Sequence, residues 1–509
     1  MKKVLALVLA LLMILPVVVA CGGPSTPADT TPSETTPNNP SEETTPVGGG
    51  EEEEPELSYT FDGELENYDT EIKILSRVDE NPTGWGNYDI VYNEESELVV
   101  TEIKNAIKKR NDQLEQNMGV TISQIDASNV YDTAYVGLFM GRDQYDILLP
   151  MIKDAGNLAR QGYVLAMDEL PNMNTEKGFY DQRAFEQLAL NGRNYLFFSE
   201  ITVVNLDATW LYYFNHELIN EYKLENPYQL LSDYQWTIGK LVEMCTVATK
   251  DADGTPDKND DWGIAGHDYI VTSLYHGTGE MIATPDDMGN ISITMNTPRV
   301  LKFVEEANKI RDFWCRYQIR LSGVANDVNP YGFGPGDNYN QLMETFANGR
   351  VLFMGEVLAS ARDLTNLDQE LNIGILPTPM LDTDQTEYYT PVNTIAACTV
   401  VPYTAEGRAD QLSNIIEYWA HLSHSTVYEA YYEQAQKSRF SKDDISPEVI
   451  DIIFDAVSYD IGAAFAWGNL ATEITALVWD GSTDFASMYE RCGGTAVDAL
   501  DEFMDKFAG

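Results

Sequence analysis

The chain is poor in cysteine: Cys21, Cys245, Cys315, Cys398 and Cys492 are the five in 509 residues, and no two form a C-x-x-C pair. That excludes a disulfide-stapled scaffold and a cysteine-ligated zinc site. The five histidines, His216, His267, His276, His421 and His424, fall at no metal-ligand spacing. Positive charge is scarce as well, with 32 Lys and Arg against 81 Asp and Glu and a net charge of −49. Such a surface repels phosphates, so neither nucleic acid nor an anionic bilayer held by charge alone is an expected partner. G-x-S-x-G, H-E-x-x-H and the phosphate-binding G-x-x-x-x-G-K-[ST] are all missing, which removes the signatures of serine hydrolases, zinc proteases and P-loop NTPases. A glycosidase needs only two carboxylates, so an acid-rich chain leaves a glycoside hydrolase open as an alternative.

The long apolar run is at the N-terminus. Lys2 and Lys3 precede residues 4–19, which are apolar apart from Pro16. Sixteen residues are short for a membrane span and suit a signal-peptide core. The run ends in Val18-Val19-Ala20-Cys21-Gly22, which resembles a bacterial lipobox. The resemblance implies a signal peptide over residues 1–20 and a diacylglycerol on the Cys21 thiol, two acyl chains being enough for stable anchoring. The expected location is the outer face of a bacterial cell membrane. Residues 21–57 follow as a Ser/Thr/Pro-rich linker with nine acidic residues and no basic ones. Such a segment buries too little apolar surface to offset its ordering entropy, so it is expected to be a disordered spacer.

Beyond it the pattern becomes α/β. Residues 71–76 alternate polar and apolar as a strand, and residues 96–118 place Val99, Ile103, Ile107 and Leu114 on one helical face before Gly119. Residues 120–125 and 145–150 are further strands, so a largely parallel sheet is expected. Residues 195–198 and 210–214 are rich in aromatic and β-branched side chains and predict two short buried strands, separated by a polar turn over 205–209. Thr237 is an N-cap candidate for a helix to residue 249, and residues 299–320 predict a long helix with Trp314 in the core.

The order of these segments resembles the carbohydrate-type solute-binding proteins of bacterial ABC importers. Residues 145–150 ("YDILLP"), 158–173 ("LARQGYVLAMDELPNM"), 212–219 ("YYFNHELI"), 346–354 ("FANGRVLFM"), 372–380 ("NIGILPTPM") and 465–470 ("FAWGNL") carry the likeness. It implies a two-lobed periplasmic-binding-protein-like α/β fold with three interlobe crossings. The expected division puts residues 58–200 and 375–405 in the first lobe and 201–374 and 406–509 in the second. It implies a monomer that captures a carbohydrate between the lobes and delivers it to transmembrane permease subunits, without catalysis. A polysaccharide-binding surface protein or sensor is a further alternative.

Sugar recognition uses flat aromatic faces against C–H surfaces, with carboxylates, amides and Arg for the hydroxyls. The stacking candidates are Trp467, from the match at "FAWGNL"; Trp210, at the end of the interlobe turn; and Trp85, in the Gly-rich loop Thr83-Gly84-Trp85-Gly86. Asp207, Glu356 and Arg77 are hydrogen-bonding candidates, and Met151 stands beyond a strand's carboxyl end, where such pockets form. No cofactor is required. Asp251, Asp253, Thr255, Asp257 and Asn259 alternate as the oxygen ligands of a calcium loop do, although Pro256 stands where the EF-hand needs Gly and Trp262 replaces the closing acid.

Overall fold

The computed structural model describes residues 57–78, 86–96, 99–251, 253–254, 257, 259–286, 288–317, 338–368, 371–437 and 446–507. Cys21, the linker up to residue 56, Trp85 and Thr255 lie outside the described residues. Among the described residues, no helix is long and apolar enough to cross a membrane, and Cys245, Cys315, Cys398 and Cys492 are buried free thiols.

The first sheet is built on β1 (Thr70–Arg77), flanked in parallel by β2 (Val120–Ala127) and β3 (Ile147–Leu148). Period-two alternation sends Ile72 and Ile74 to one apolar cluster and Leu75 to another. Between β1 and β2 runs α1 (Thr101–Met118), which ends as expected at Gly119 in the left-handed region (φ 63°). A Cβ there would press on the Asn67 side chain and the Asp69 backbone, so glycine is required for both conformation and space. Arg110 of α1 is fully buried. It donates to the carbonyls of Asp89, Ile90 and Ile201, and its guanidinium lies 5.0 Å from the Trp419 ring centroid. Returning chain extends the sheet through antiparallel bridges Leu148–Val400 and Phe197–Thr399. The expected strand over 195–198 is reduced to that bridge, and the 205–209 turn is a short helix, Val204–Asp207.

The second sheet has five strands: β4 (Trp210–Asn215), β5 (Trp262–His267), β6 (Trp314–Tyr317), β7 (Val351–Val357) and β8 (Ile373–Leu376). Their order is β8-β4-β7-β5-β6, with β4 antiparallel to both neighbours and β5 parallel to β6 and β7. Thr237 caps Ile238–Ala248 by accepting from the Lys240 N–H, as its sequence position predicts. The helix expected over 299–320 stops early. Pro298–Asn308 is α-helical and Lys309–Phe313 tightens to 3-10, then β6 begins. Trp314 and Cys315 pair with Ile264 and Ala265, and that pairing overrides the helical periodicity.

Two segments depart from the expected division. Ile375 and Leu376, expected in the first lobe, are the second half of β8 and pair with Tyr213 and Tyr212 of β4 in the second sheet. Residues 406–509 were assigned to the second lobe, yet Ala409–Ser423 packs on α1 and sends Leu412, Ile415, Ile416 and Trp419 into the cluster of Ile72 and Ile74. A π-helical turn, His424–Tyr428, joins that helix to Glu429–Lys437.

Candidate functional site

Strands β5 and β7 run parallel and end at the edge where the antiparallel β4 begins, so His267, Glu356 and Trp210 come together there. Trp210 is paired with Val357 and Leu211 with Glu356. The carboxyl edge of an α/β sheet is where ligands bind. Trp210 meets His267 edge-on (5.2 Å, 71°) and lies nearly parallel to Tyr269 (6.3 Å, 19°). His267 Nε2 stands 3.2 Å from Glu356 Oε1. Its Nδ1 faces both the Tyr269 N–H (3.1 Å) and Asp268 Oδ1 (3.8 Å), so the charge on the ring decides which it engages. Burial alone would depress this imidazole, but Glu356 and Asp268 outweigh it and push the pKa up to about 9.

The described part of the cleft is lined by Trp210, Tyr269, Thr272, Ser273 and His276, by residues 391–394, and by residues 458–460. It is tight, a cavity of about 30 Å³, the room of a water or one hydroxyl group. Apolar and polar groups alternate in the walls. His276 Nδ1 lies 3.4 Å from Asp460 Oδ2, which also accepts from the Ile282 N–H at 2.7 Å. Asp460 Oδ1 caps the helix Ile461–Phe465. Tyr459 donates to Asp181 at 2.6 Å and stacks on Phe198. The buried Ser458 hydroxyl has no hydrogen-bond partner among the described residues, so it has capacity for one more bond.

The sequence-derived candidates divide. Trp210 lines the cleft, and Glu356 stands behind it, held by His267. Asp207 is close by but occupied: its carboxylate accepts from Tyr88 (2.8 Å) and Tyr431 (2.7 Å) and pairs with Arg362 (3.2 Å), whose guanidinium lies over the Tyr88 ring. Burial opposes the Arg362 charge, and Asp207 more than restores it, raising that pKa. Arg77 and Met151 border the returning strand from the first sheet. Arg77 donates to the Ile395 carbonyl (3.4 Å), and Met151 bridges to Ala397.

Trp467 departs from its expected role. It is 4% exposed and packs in the core against Phe465 (5.2 Å, 13°) and Phe503 (5.8 Å). Positive φ at Ala466, Gly468 and Asn469 turns it inward, and a Cβ on Gly468 would meet the Ala496 backbone at 2.9 Å. The acidic loop is also rearranged. Asp251, Asp253 and Asp260 bring carboxylate oxygens within 4.8 Å of one another. Asp257 and Asn259 are outside that group: Asp257 accepts from the Asn259 N–H, and the Asn259 carbonyl accepts from Arg350.

Sequence reading missed Tyr269, His267, Asn393, Ser458 and Asp460. The signal for the first two was the run His267-Asp268-Tyr269 closing an apolar strand. Asn393 and Ser458 reach the cleft through long-range pairing of Thr390–Pro391 with Val457–Ser458, which leaves no local pattern.

The fold and cleft together define a class: the two-lobed α/β architecture of periplasmic-type binding proteins. No family model matches the chain, and no curated protein sequence does. Among solved structures, it is similar to a cyclo/maltodextrin-binding protein complexed with maltotetraose, with TM-score 0.52, 13% identity, 85% of this chain and 96% of that one covered. It is similar also to a sugar transporter from Rhizobium etli in an open conformation, with TM-score 0.51, 12% identity, 86% and 98% covered. At such identities the likeness is one of fold.

Proposed function

We propose that this protein is the substrate-capturing lipoprotein of an ABC importer, taking a carbohydrate, an oligosaccharide, between its lobes. The observation that carries this reading is the near-parallel pair Trp210 and Tyr269 at the sheet's carboxyl edge, beside the hydroxyls and amides of Thr272, Ser273, Asn393, Thr394 and Ser458. Aromatic faces take the apolar side of a sugar ring, and a buried unsatisfied hydroxyl rewards a ligand that supplies its partner. The fold likeness to a maltotetraose-binding protein supports the same class.

The reading continues to the parts that flank the site. Cys21 carries the lipid that holds a monomer on the outer face of a bacterial membrane, and the closed form docks on transmembrane permease subunits. The role is receptor, not enzyme: Glu356 is engaged by His267 and Asp460 by two backbone N–H groups, which suits holding rather than proton transfer. Asp251, Asp253 and Asp260 fit a structural calcium ion, a hard cation that takes carboxylate oxygens.

The test is a thermal-shift panel on the full chain with mono- and oligosaccharides. A ligand at a hundred times its dissociation constant stabilises by about 2.7 kcal/mol. A shift from one sugar, recovered intact, is the expected result. No shift from any sugar would overturn the carbohydrate class, and a hydrolysed sugar would favour the glycosidase instead.

A further inference from the structure

A second and larger cavity, of about 260 Å³, lies outside the sugar cleft and shares no lining residue with it. The two meet back to back at one strand, where Val457 lines this cavity and Ser458 the cleft. Its walls come from residues 178–183, from Ser199, Glu200, Thr202, Asn205 and Leu206, from Leu57 and Tyr59, and from Tyr428, Phe454 and Asp455.

Its chemistry is acidic and aromatic. Asp181, Glu200 and Asp455 line it against one cation, Arg183. That guanidinium is drawn aside, donating to the Val457 carbonyl and lying over the Tyr389 ring at 5.6 Å. Glu200 is fixed by His424 Nδ1 at 2.8 Å. The Tyr59 ring is clamped between His424, stacked at 3.9 Å, and Gly178, where any Cβ would strike the ring. Burial first, and Glu200 next, hold the Tyr59 and Tyr428 phenols above their ordinary pKa, with Asp455 adding a smaller push in the same direction. The buried Ser199 hydroxyl in the same wall has no hydrogen-bond partner among the described residues.

A bare metal ion does not suit this cavity. Among the described residues, only Asp251, Asp253 and Asp260 bring three carboxylates within 4.8 Å of one another, whereas here the acids are spread around a space the size of several heavy atoms. An extended cation answers that spacing, with N–H donors for the carboxylates and phenol oxygens and a methylene body for Phe454 and the tyrosine rings. The chain's net charge of −49 concentrates such cations around it.

We propose that this cavity is a second ligand site, for a small primary-ammonium compound such as an alkyl diamine or amino alcohol. Glu200 and Asp455 take the charge, and Tyr59 and Tyr428 supply the neutral hydrogen bonds. The site is independent of the sugar reading.

Isothermal titration of the full chain with putrescine and ethanolamine, against the neutral isosteres 1,4-butanediol and ethylene glycol at matched ionic strength, tests it. Saturable binding of an amine and none of its diol is expected. Asp455→Asn, an exposed position, should weaken it at least about tenfold, the size of a lost charged hydrogen bond. Tyr428→Phe should weaken it several-fold, and Trp210→Ala should leave it unchanged. Glu200→Gln adds a second charge test in which retained folding is checked by melting temperature. The proposal is overturned by no saturable binding, by equal binding of amine and diol, by wild-type affinity in Asp455→Asn and Tyr428→Phe, or by loss in Trp210→Ala, which would place the amine in the cleft.

Discussion

Trp210 and Trp467 are 5% and 4% exposed, and by that number they are the same kind of residue. Their surroundings differ. Trp467 belongs to the main apolar core and is boxed by Phe465 and Phe503. Trp210 belongs to a small satellite cluster with Val357 and Ala359, shows an edge to His267, and forms part of a cleft wall. Fractional burial does not separate a core aromatic from a ligand platform. What separates them is whether the ring's neighbours are apolar on every side or whether one side is polar and bounds a cavity.

The sharpest way to break this contrast is Trp467→Ala, which removes a fully enclosed ring and should cost about 3–5 kcal/mol of stability. Denaturant titration checks this, and sugar affinity of the folded fraction should hold. If affinity falls and stability does not, the two tryptophans have exchanged roles.

The next effect is pH-linked and belongs to Trp210's side. His267 is raised from the ordinary 6.5 to about 9 in the fold. Its contribution is therefore fully present below pH ~6.5 and is lost as pH rises through ~9, on the order of 3 kcal/mol at about 1.4 per unit. Melting temperature should fall across that window, and His267→Gln should flatten the slope while lowering stability at neutral pH. An unchanged slope would mean that the ring is neutral, with Nδ1 accepting from Tyr269.

Trp210→Ala should weaken sugar binding by about 1–3 kcal/mol, read by titration calorimetry. Its stability cost should be smaller than that of Trp467→Ala, because the satellite cluster is small. The smallest effect concerns the acidic loop. Calcium at about ten times its dissociation constant should add ~1.4 kcal/mol, and Asp260→Asn should abolish the increment. A wild-type chain that melts identically with calcium and with chelator would remove the ion from the reading.

Much of the fold was legible where one element explains its own residues. The alternation in β1, the stripe and glycine stop of α1, and the Thr237 cap are short-range signals, and each is seen. The misplacements come from partners distant in sequence. Nothing near Trp467 announces Phe503, and nothing near Trp314 announces Ile264, which turns a helical stripe into a strand. Ala409–Ser423 is a helix whose partner sheet, built on β1, lies far upstream in the sequence. Of the site, Trp210 and Glu356 stand out because one opens an apolar strand and the other comes near the end of one. Ser458 and Asn393 do not, because a lone polar residue gains meaning only when pairing with a distant segment brings it to a cavity wall.

The π-helical turn His424–Tyr428 bears on how the halves are mechanically joined. With the helices on either side it makes one rod from residue 409 to 437. One end is embedded with Leu412, Ile416 and Trp419 under the first sheet; the other presents Tyr431 to Asp207, beside β4. The wider turn carries an extra residue, and such a residue resets the angular phase of everything downstream. Deleting a single residue there would rotate Tyr431 by roughly 100°, one residue's share of a 3.6-residue turn, and swing it off its carboxylate. The rod is thus a keyed shaft, and insertions or deletions that a surface loop would absorb should be rejected along these five residues.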